Sequence, residues 1–222
     1  SLGLVGSEMC IRDRSVHDAL LRRANGFQVR LLYKQRLLET LLPQLVAAYE
    51  RAVPGSAMRT TCLVALATLL PALPHAALHA RIVSLLPLLV HTLGIDDAGA
   101  RTQAARALFV TLQSVPVAEA AESRSSAEAT VAAIQTHLDT LVTHLVANVA
   151  PSPVTPPAAR SASLQLLGAL VPRLPHEALV PHRRRVIQEL GILGRGVDDP
   201  RRSVRADAVD CRDVWYRVDV LA

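Results

Sequence analysis

The sequence predicts an all-α chain folded as a solenoid of antiparallel helix pairs, and three observations carry that expectation. Apolar residues recur at helical spacing from about Leu31 onward. No run alternates with a period of two, and aromatic residues make up only 3% of the 222 residues, so the runs that build strands are missing. Four segments with an Arg near a helix start recur at intervals of 42, 59 and 45 residues, the mark of a repeat array. Half the chain is apolar, mostly Leu, Ala and Val, which is enough to bury a large surface.

Residues 1–14 are expected to be a non-native leader. They lack the basic start of a signal peptide, and Met9-Cys10-Ile11-Arg12-Asp13-Arg14 resembles a translated transposase adapter of the kind found at the ends of assembled environmental sequence. The chain is then expected to be a piece of something longer on its N-terminal side, with residues 15–222 forming about four helical hairpins. Leu37, Leu38, Leu41, Leu42, Leu45 and Val46 make the first stripe, which Pro54-Gly55 ends. Leu63, Leu66, Leu69 and Leu70 make the second, which Leu73-Pro74-His75 ends. Further breaks at residues 94–99, Val115-Pro116, 151–157, Leu174-Pro175 and 194–200 divide the remainder into helices of roughly 12–18 residues with short connections.

The recurring segments centre on Arg59, Arg101, Arg160 and Arg205. Three positions on stands a small residue (Cys62, Ala104, Ser163, Ala208), and four positions on an apolar one (Leu63, Ala105, Leu164, Val209). Small residues there let two helices approach closely. Two intervals fall in the range of HEAT and armadillo repeats, and the long middle one is assigned to an acidic, Ser-rich insertion at residues 118–132, read as a loop or ragged helix. The stretch Leu73-Pro74-His75-Ala76-Ala77-Leu78 recurs as Leu174-Pro175-His176-Glu177-Ala178-Leu179, so the register is shared. Asp198-Asp199-Pro200 ahead of Val204-Arg205 and Ala208-Val209 matches the turn and second helix of a HEAT repeat. Asp caps free amides and suits the dipole, Pro fits the first turn, and Val and Ala face the packed side. The expected fold is a HEAT-type α-solenoid.

Composition also narrows function. Ten glycines form neither a dinucleotide fingerprint nor a phosphate loop, and no serine stands in G-x-S-x-G, so no catalytic residue and no enzyme is expected. Scarce aromatics disfavour base stacking. Cys10, Cys62 and Cys211 are odd in number with no C-x-x-C, which argues against a disulfide framework and a closed zinc or iron-sulfur site and for a reducing compartment. His75 and His79 are four apart but lack completing ligands, and His137 and His144 beside Asp139 read as the polar edge of a helix, so no metal or cofactor is expected. The most apolar run, Cys62 to Leu73, is too short for a bilayer, and no membrane partner is expected.

Charge leaves two readings open. The net charge of +5 rests on 24 basic residues, all arginine except Lys34. Arg183-Arg184-Arg185, followed by Arg195, Arg201, Arg202, Arg205 and Arg212, reads either as a solvated face tempered by neighbouring carboxylates or as a surface for an acidic partner. Trp215 and Tyr216 either close the core or anchor an interface. The candidate partner-binding residues are Arg183, Arg184, Arg185, Arg201, Arg202, Arg205, Trp215 and Tyr216.

Several of these residues also carry a family resemblance. Leu31-Leu32-Tyr33-Lys34-Gln35-Arg36 ahead of Leu41-Leu42-Pro43, then Leu138-Asp139-Thr140-Leu141-Val142-Thr143, then Leu174-Pro175 through Leu179-Val180-Pro181 to Val186-Ile187 and Asp198-Asp199 through Val204-Arg205, resemble the C-terminal HEAT repeats of the methyl methanesulfonate sensitivity nineteen family. Cys211-Arg212-Asp213-Val214-Trp215 is similar to that family's final turn, and the likeness spans about Leu31 to Tyr216. The resemblance implies a non-enzymatic adaptor of the cytosolic iron-sulfur protein assembly targeting complex, cytoplasmic and nuclear. Its implied partners are a WD-repeat propeller, a small cysteine-bearing adaptor, and apo iron-sulfur clients of DNA replication, nucleotide excision repair and transcription. Residues 118–132, the Pro-rich 151–157 and the use of Arg over Lys depart from the family pattern. Alternative readings are a karyopherin-like or phosphatase-scaffold-like protein, or an Arg-rich solenoid binding nucleic acid directly, the last being disfavoured.

Overall fold

The computed structural model describes residues 29–70, 75–114, 124–193 and 195–219. The expected leader and the first half of the 118–132 insertion lie outside the described residues. Nine α-helices are described: α1 Val29–Arg51, α2 Ala57–Leu69, α3 His75–Thr92, α4 Ala98–Ser114, α5 Arg124–Thr136, α6 Leu138–Val149, α7 Pro157–Leu170, α8 His176–Leu190 and α9 Arg202–Tyr216. Single 3-10 turns at Gly196–Asp198 and Arg217–Asp219 flank the last of them. Among the described residues the only β pairing is one isolated bridge between Ser152 and Thr155.

Local chemistry sets the boundaries. Ser56, extended at φ −73° and ψ 152°, accepts the Arg59 amide at 3.4 Å to start α2 after Gly55 has turned the chain with φ +77°. Asp97 does the same for α4, its Oδ1 taking the Ala100 amide at 2.6 Å. Pro157 opens α7, where a missing N–H is harmless. The prolines inside α1, α3 and α8 (Pro43, Pro87, Pro181) all sit on exposed faces, where the amide lost from the ladder leaves a carbonyl that water can reach.

The helices pack as four pairs, α1 with α2, α3 with α4, α6 with α7 and α8 with α9. The second helices stack in the order α2, α4, α7, α9, and the first helices form the opposite layer, with α5 added against α3. This is an all-α repeat solenoid. Buried residues from every pair join one cluster that runs from Leu42 to Val218. The small residues of the recurring segments face the packed side: Cys62, Ala104, Ser163 and Ala208 are all buried. So are Leu63, Ala105 and Leu164. Val209 departs from that pattern and is 54% exposed, because no described helix covers the flank of α9 that faces away from α7.

Candidate functional site

The four recurring arginines sit in the first turn of the four second-layer helices, and each turns its guanidinium inward. Arg59 donates to the carbonyls of Ala52 at 2.9 Å and Tyr49 at 3.2 Å and lies over the Tyr49 ring, all within its own hairpin. Arg101, buried, reaches forward to Asn148 Oδ1 at 2.8 Å and to the Val154 carbonyl, both in the next hairpin. Asn148 in turn donates to the Leu93 carbonyl at 2.9 Å, so one amide ties two hairpins together.

Arg160, also buried, reaches forward to Asp199. Its terminal nitrogen donates to Oδ1 at 3.1 Å, while Nε and Oδ2 stand 2.7 Å apart but off the N–H axis, a charge pairing more than an aligned hydrogen bond. Asp199 also accepts the Arg201 amide at 2.8 Å. Arg205 donates to the carbonyls of Asp199 at 2.7 Å and Pro200 at 3.3 Å. Of the expected partner-binding residues, Arg205 therefore holds the turn of its own repeat.

The remaining candidates do not form one patch. Arg183 donates to the carbonyls of Trp215 at 3.3 Å and Tyr216 at 3.2 Å, closing the C-terminus of α9. Arg185 is exposed and donates to Thr143 at 2.8 Å, bridging α8 to α6, and Arg184 is exposed beside it. Arg201 and Arg202 are exposed at the opposite end of α9, which at 1.5 Å per residue is about 21 Å away. Trp215 is fully buried and donates to the Leu167 carbonyl at 3.0 Å, so it is a core residue that seals α9 onto α7 and offers no surface to a partner. Tyr216 is 45% exposed under the Arg212 guanidinium.

The cysteine and histidine readings resolve by position. Cys62 and Cys211 are free and buried. Burial, seconded by the Asp207 carboxylate, pushes the Cys211 thiol well above its ordinary range. His144 lies against Gly94, and burial first, then nearby His91, holds its pKa below the usual value. His91 Nδ1 is hydrogen-bonded to the Tyr49 hydroxyl. The side chains of His75 and His79 lie outside the described residues. Among the described residues no three His, Cys, Asp or Glu side chains come together as metal ligands. No described helix is long and apolar enough to cross a membrane.

The sequence reading passed over one exposed feature. Ile192 is 41% and Leu193 89% exposed in the turn between α8 and α9. The available signal was an aliphatic pair set between Gly191 and Gly194 at a break.

Comparison with known proteins adds a family. A model described as RNAPII transcription regulator C-terminal matches residues 8–171. The chain is 30% identical to the human MMS19 nucleotide excision repair protein homolog over 197 residues, 89% of this chain and 17% of that protein. It is 30% identical to the zebrafish (Danio rerio) protein of the same name over 96% of this chain and 18% of that one. It is 26% identical to the DNA repair/transcription protein mms19 of Schizosaccharomyces pombe over 90% of this chain and 18% of that one. The chain thus spans less than a fifth of the length of these relatives.

Proposed function

The chain belongs to the MMS19 family, and from that premise we propose that it is a non-catalytic scaffold segment of the cytosolic iron-sulfur protein assembly targeting complex. Family membership supports a role connected with DNA repair and transcription, the activities carried in the relatives' names, none of which states an enzymatic reaction. The single observation that carries the reading is the family match over most of the chain. The fold is compatible with it: an all-α repeat stack presents long helix faces, and its buried Arg101 and Arg160 are committed to holding one repeat against the next. In this reading the chain docks a WD-repeat propeller and a small cysteine-bearing adaptor, together with apo-protein clients of replication, repair and transcription. It holds no cluster of its own, involves no membrane, and acts in cytoplasm and nucleus.

The test is direct binding. The 222-residue chain is immobilised and exposed to the purified propeller and small adaptor, singly and together, with a karyopherin and a phosphatase catalytic subunit in parallel. Saturable capture of the assembly factors supports the proposal. Capture of the transport or phosphatase component alone overturns it, as does capture of none.

A further inference from the structure

We propose that the turn closing α3, residues 91–94, is a proton-sensitive joint, in which a proton on His144 unseats the third hairpin from the second while the first hairpin keeps its hold through Tyr49. Three hairpins meet at this turn. Tyr49 of α1 shares a hydrogen bond with His91 Nδ1. On the other side α6 sets two side chains, one helical turn apart, against the same few residues. Asn148 donates to the Leu93 carbonyl at 2.9 Å, and the His144 ring lies so close on Gly94 that a Cβ there would fall 2.6 Å from its Cε1. The Gly94 amide is bonded to the His91 carbonyl at 3.0 Å, so both imidazoles belong to one tight turn.

The two rings answer a proton differently. A neutral His91 with its hydrogen on Nε2 accepts at Nδ1 from the Tyr49 hydroxyl; once Nδ1 is protonated it donates to the same oxygen, and the bond persists with its direction reversed. His91 is also exposed, in the last turn of α3, where the helix dipole favours a cation. His144 is half-buried against backbone and has no such alternative. Burial first, and His91 second, hold its pKa below the ordinary value, so the seated ring is neutral and the unseated one binds the proton more readily. The contact is therefore complete above about pH 6.5 and is lost as pH falls through the seated value.

Among the described residues no carboxylate pairs with either ring of the turn. Cations approach from two sides, Arg59 of α2 over the Tyr49 ring at 4.7 Å and Arg101 of α4 on Asn148 Oδ1 at 2.8 Å. From α8 comes Arg185, held on Thr143 next to His144, and the one charge of α7 is Arg160, which Asp199 holds. The acids are engaged or distant. Asp97 accepts the Ala100 amide, Asp139 faces His182 at 3.9 Å five residues back along α6, and the charges of α5, Arg124 and Glu128, lie near its start. Asp96 is exposed to water, where an ion pair contributes little. Protonating His144 thus adds a half-buried cation without a counter-charge to a turn that cations already flank.

The experiment is amide hydrogen exchange of the full 222-residue chain, read by mass spectrometry at about pH 7.5 and about pH 5.5 and corrected for the intrinsic rate, with circular dichroism confirming the fold of each variant. Protection around residues 91–94 and 144–149 is expected to fall about threefold or more at the lower pH relative to that of α7 and α9. His144→Gln should abolish most of that fall, and His182→Gln, which removes the imidazole facing Asp139, should keep it. No local fall in the parent, or an equal fall in every helix, overturns the joint. So does a His144→Gln variant that falls as far as the parent, or a His182→Gln variant that does not fall. The His144 midpoint, followed by its Hε1 resonance in the parent, should lie below about 6.5; a midpoint at or above that value overturns the proposal whether or not His144→Gln folds.

Discussion

Asp199→Ala is the sharpest test of how the repeats are held together. The Asp199 carboxylate is fully buried and the Arg160 side chain is 5% exposed, so water cannot replace either partner. Removing the acid strands a guanidinium whose other bond goes to the Thr155 carbonyl at 2.6 Å, and it frees the Arg201 amide as well. Breaking a buried pair from one side costs about 3–5 kcal/mol. For a chain of this size each kcal/mol lowers the melting temperature by about 2–4 °C, which places the expected drop at roughly 6–20 °C. Thermal and urea unfolding followed by circular dichroism would read it. The pair Arg160→Met with Asp199→Leu removes both charges, and most of the lost stability should return, because a buried ion pair is roughly matched by well-packed apolar groups. A single variant within about 1 kcal/mol of the parent would refute the argument that this pair ties the last two hairpins, as would a double variant no better than the single.

Other expectations follow from the same geometry. Because burial and His91 depress the His144 pKa, the unfolded chain binds the proton more readily; the stability this neutral His supports is present above about pH 6.5 and is lost as pH falls through its folded value. The urea midpoint of His144→Gln should therefore fall less than the parent's between neutral pH and about pH 5, and equal falls would count against it. Gly196→Ala should lower stability by about 1–3 kcal/mol, since it meets both a left-handed φ and the Leu190 carbonyl, whereas Gly55→Ala, at φ +77° with open space around it, should cost about 1 kcal/mol; equal unfolding midpoints for the two would contradict this. With Cys10 replaced by Ser, thiol labelling at mildly alkaline pH should be negligible in the folded protein and appear with unfolding, because Cys211 is buried with a raised pKa and Cys62 is buried too; prompt labelling of the native chain would be the contrary result.

Much of the architecture was legible because it is written in spacing. The Arg-small-apolar segments fall at the starts of α2, α4, α7 and α9, and their small residues are the buried ones. What the arginines do was not legible, since a guanidinium that bonds 39 or 47 residues away depends on how hairpins stack. In the 118–132 insertion, residues 124–132 fall within α5, whose Thr130 and Ile134 are buried, a sparse stripe that gives little sequence signal. The basic cluster read from sequence separates because sequence neighbourhood is not neighbourhood on a helix pair: Arg183 meets the C-terminus of α9, and Arg201 and Arg202 its start. Trp215 could be placed in core or interface from its type alone, and only its burial against Leu167 decides.

The direction in which each arginine reaches sets the mechanics of the stack. Arg101 and Arg160 cross forward into the next hairpin, so the second, third and fourth hairpins are latched along the edge where the second-layer helices begin. Arg59 bonds within its own hairpin, and there a side-chain hydrogen bond to the neighbour runs between the first-layer helices, from Tyr49 to His91. The joint between the first two hairpins thus rests on the apolar packing of α2 against α3 and α4, with no buried arginine crossing it, while the later ones carry a polar latch as well. Sliding one hairpin past the next would have to break buried polar bonds at the second and third joints, and at the first only apolar contact and the exposed Tyr49–His91 bond.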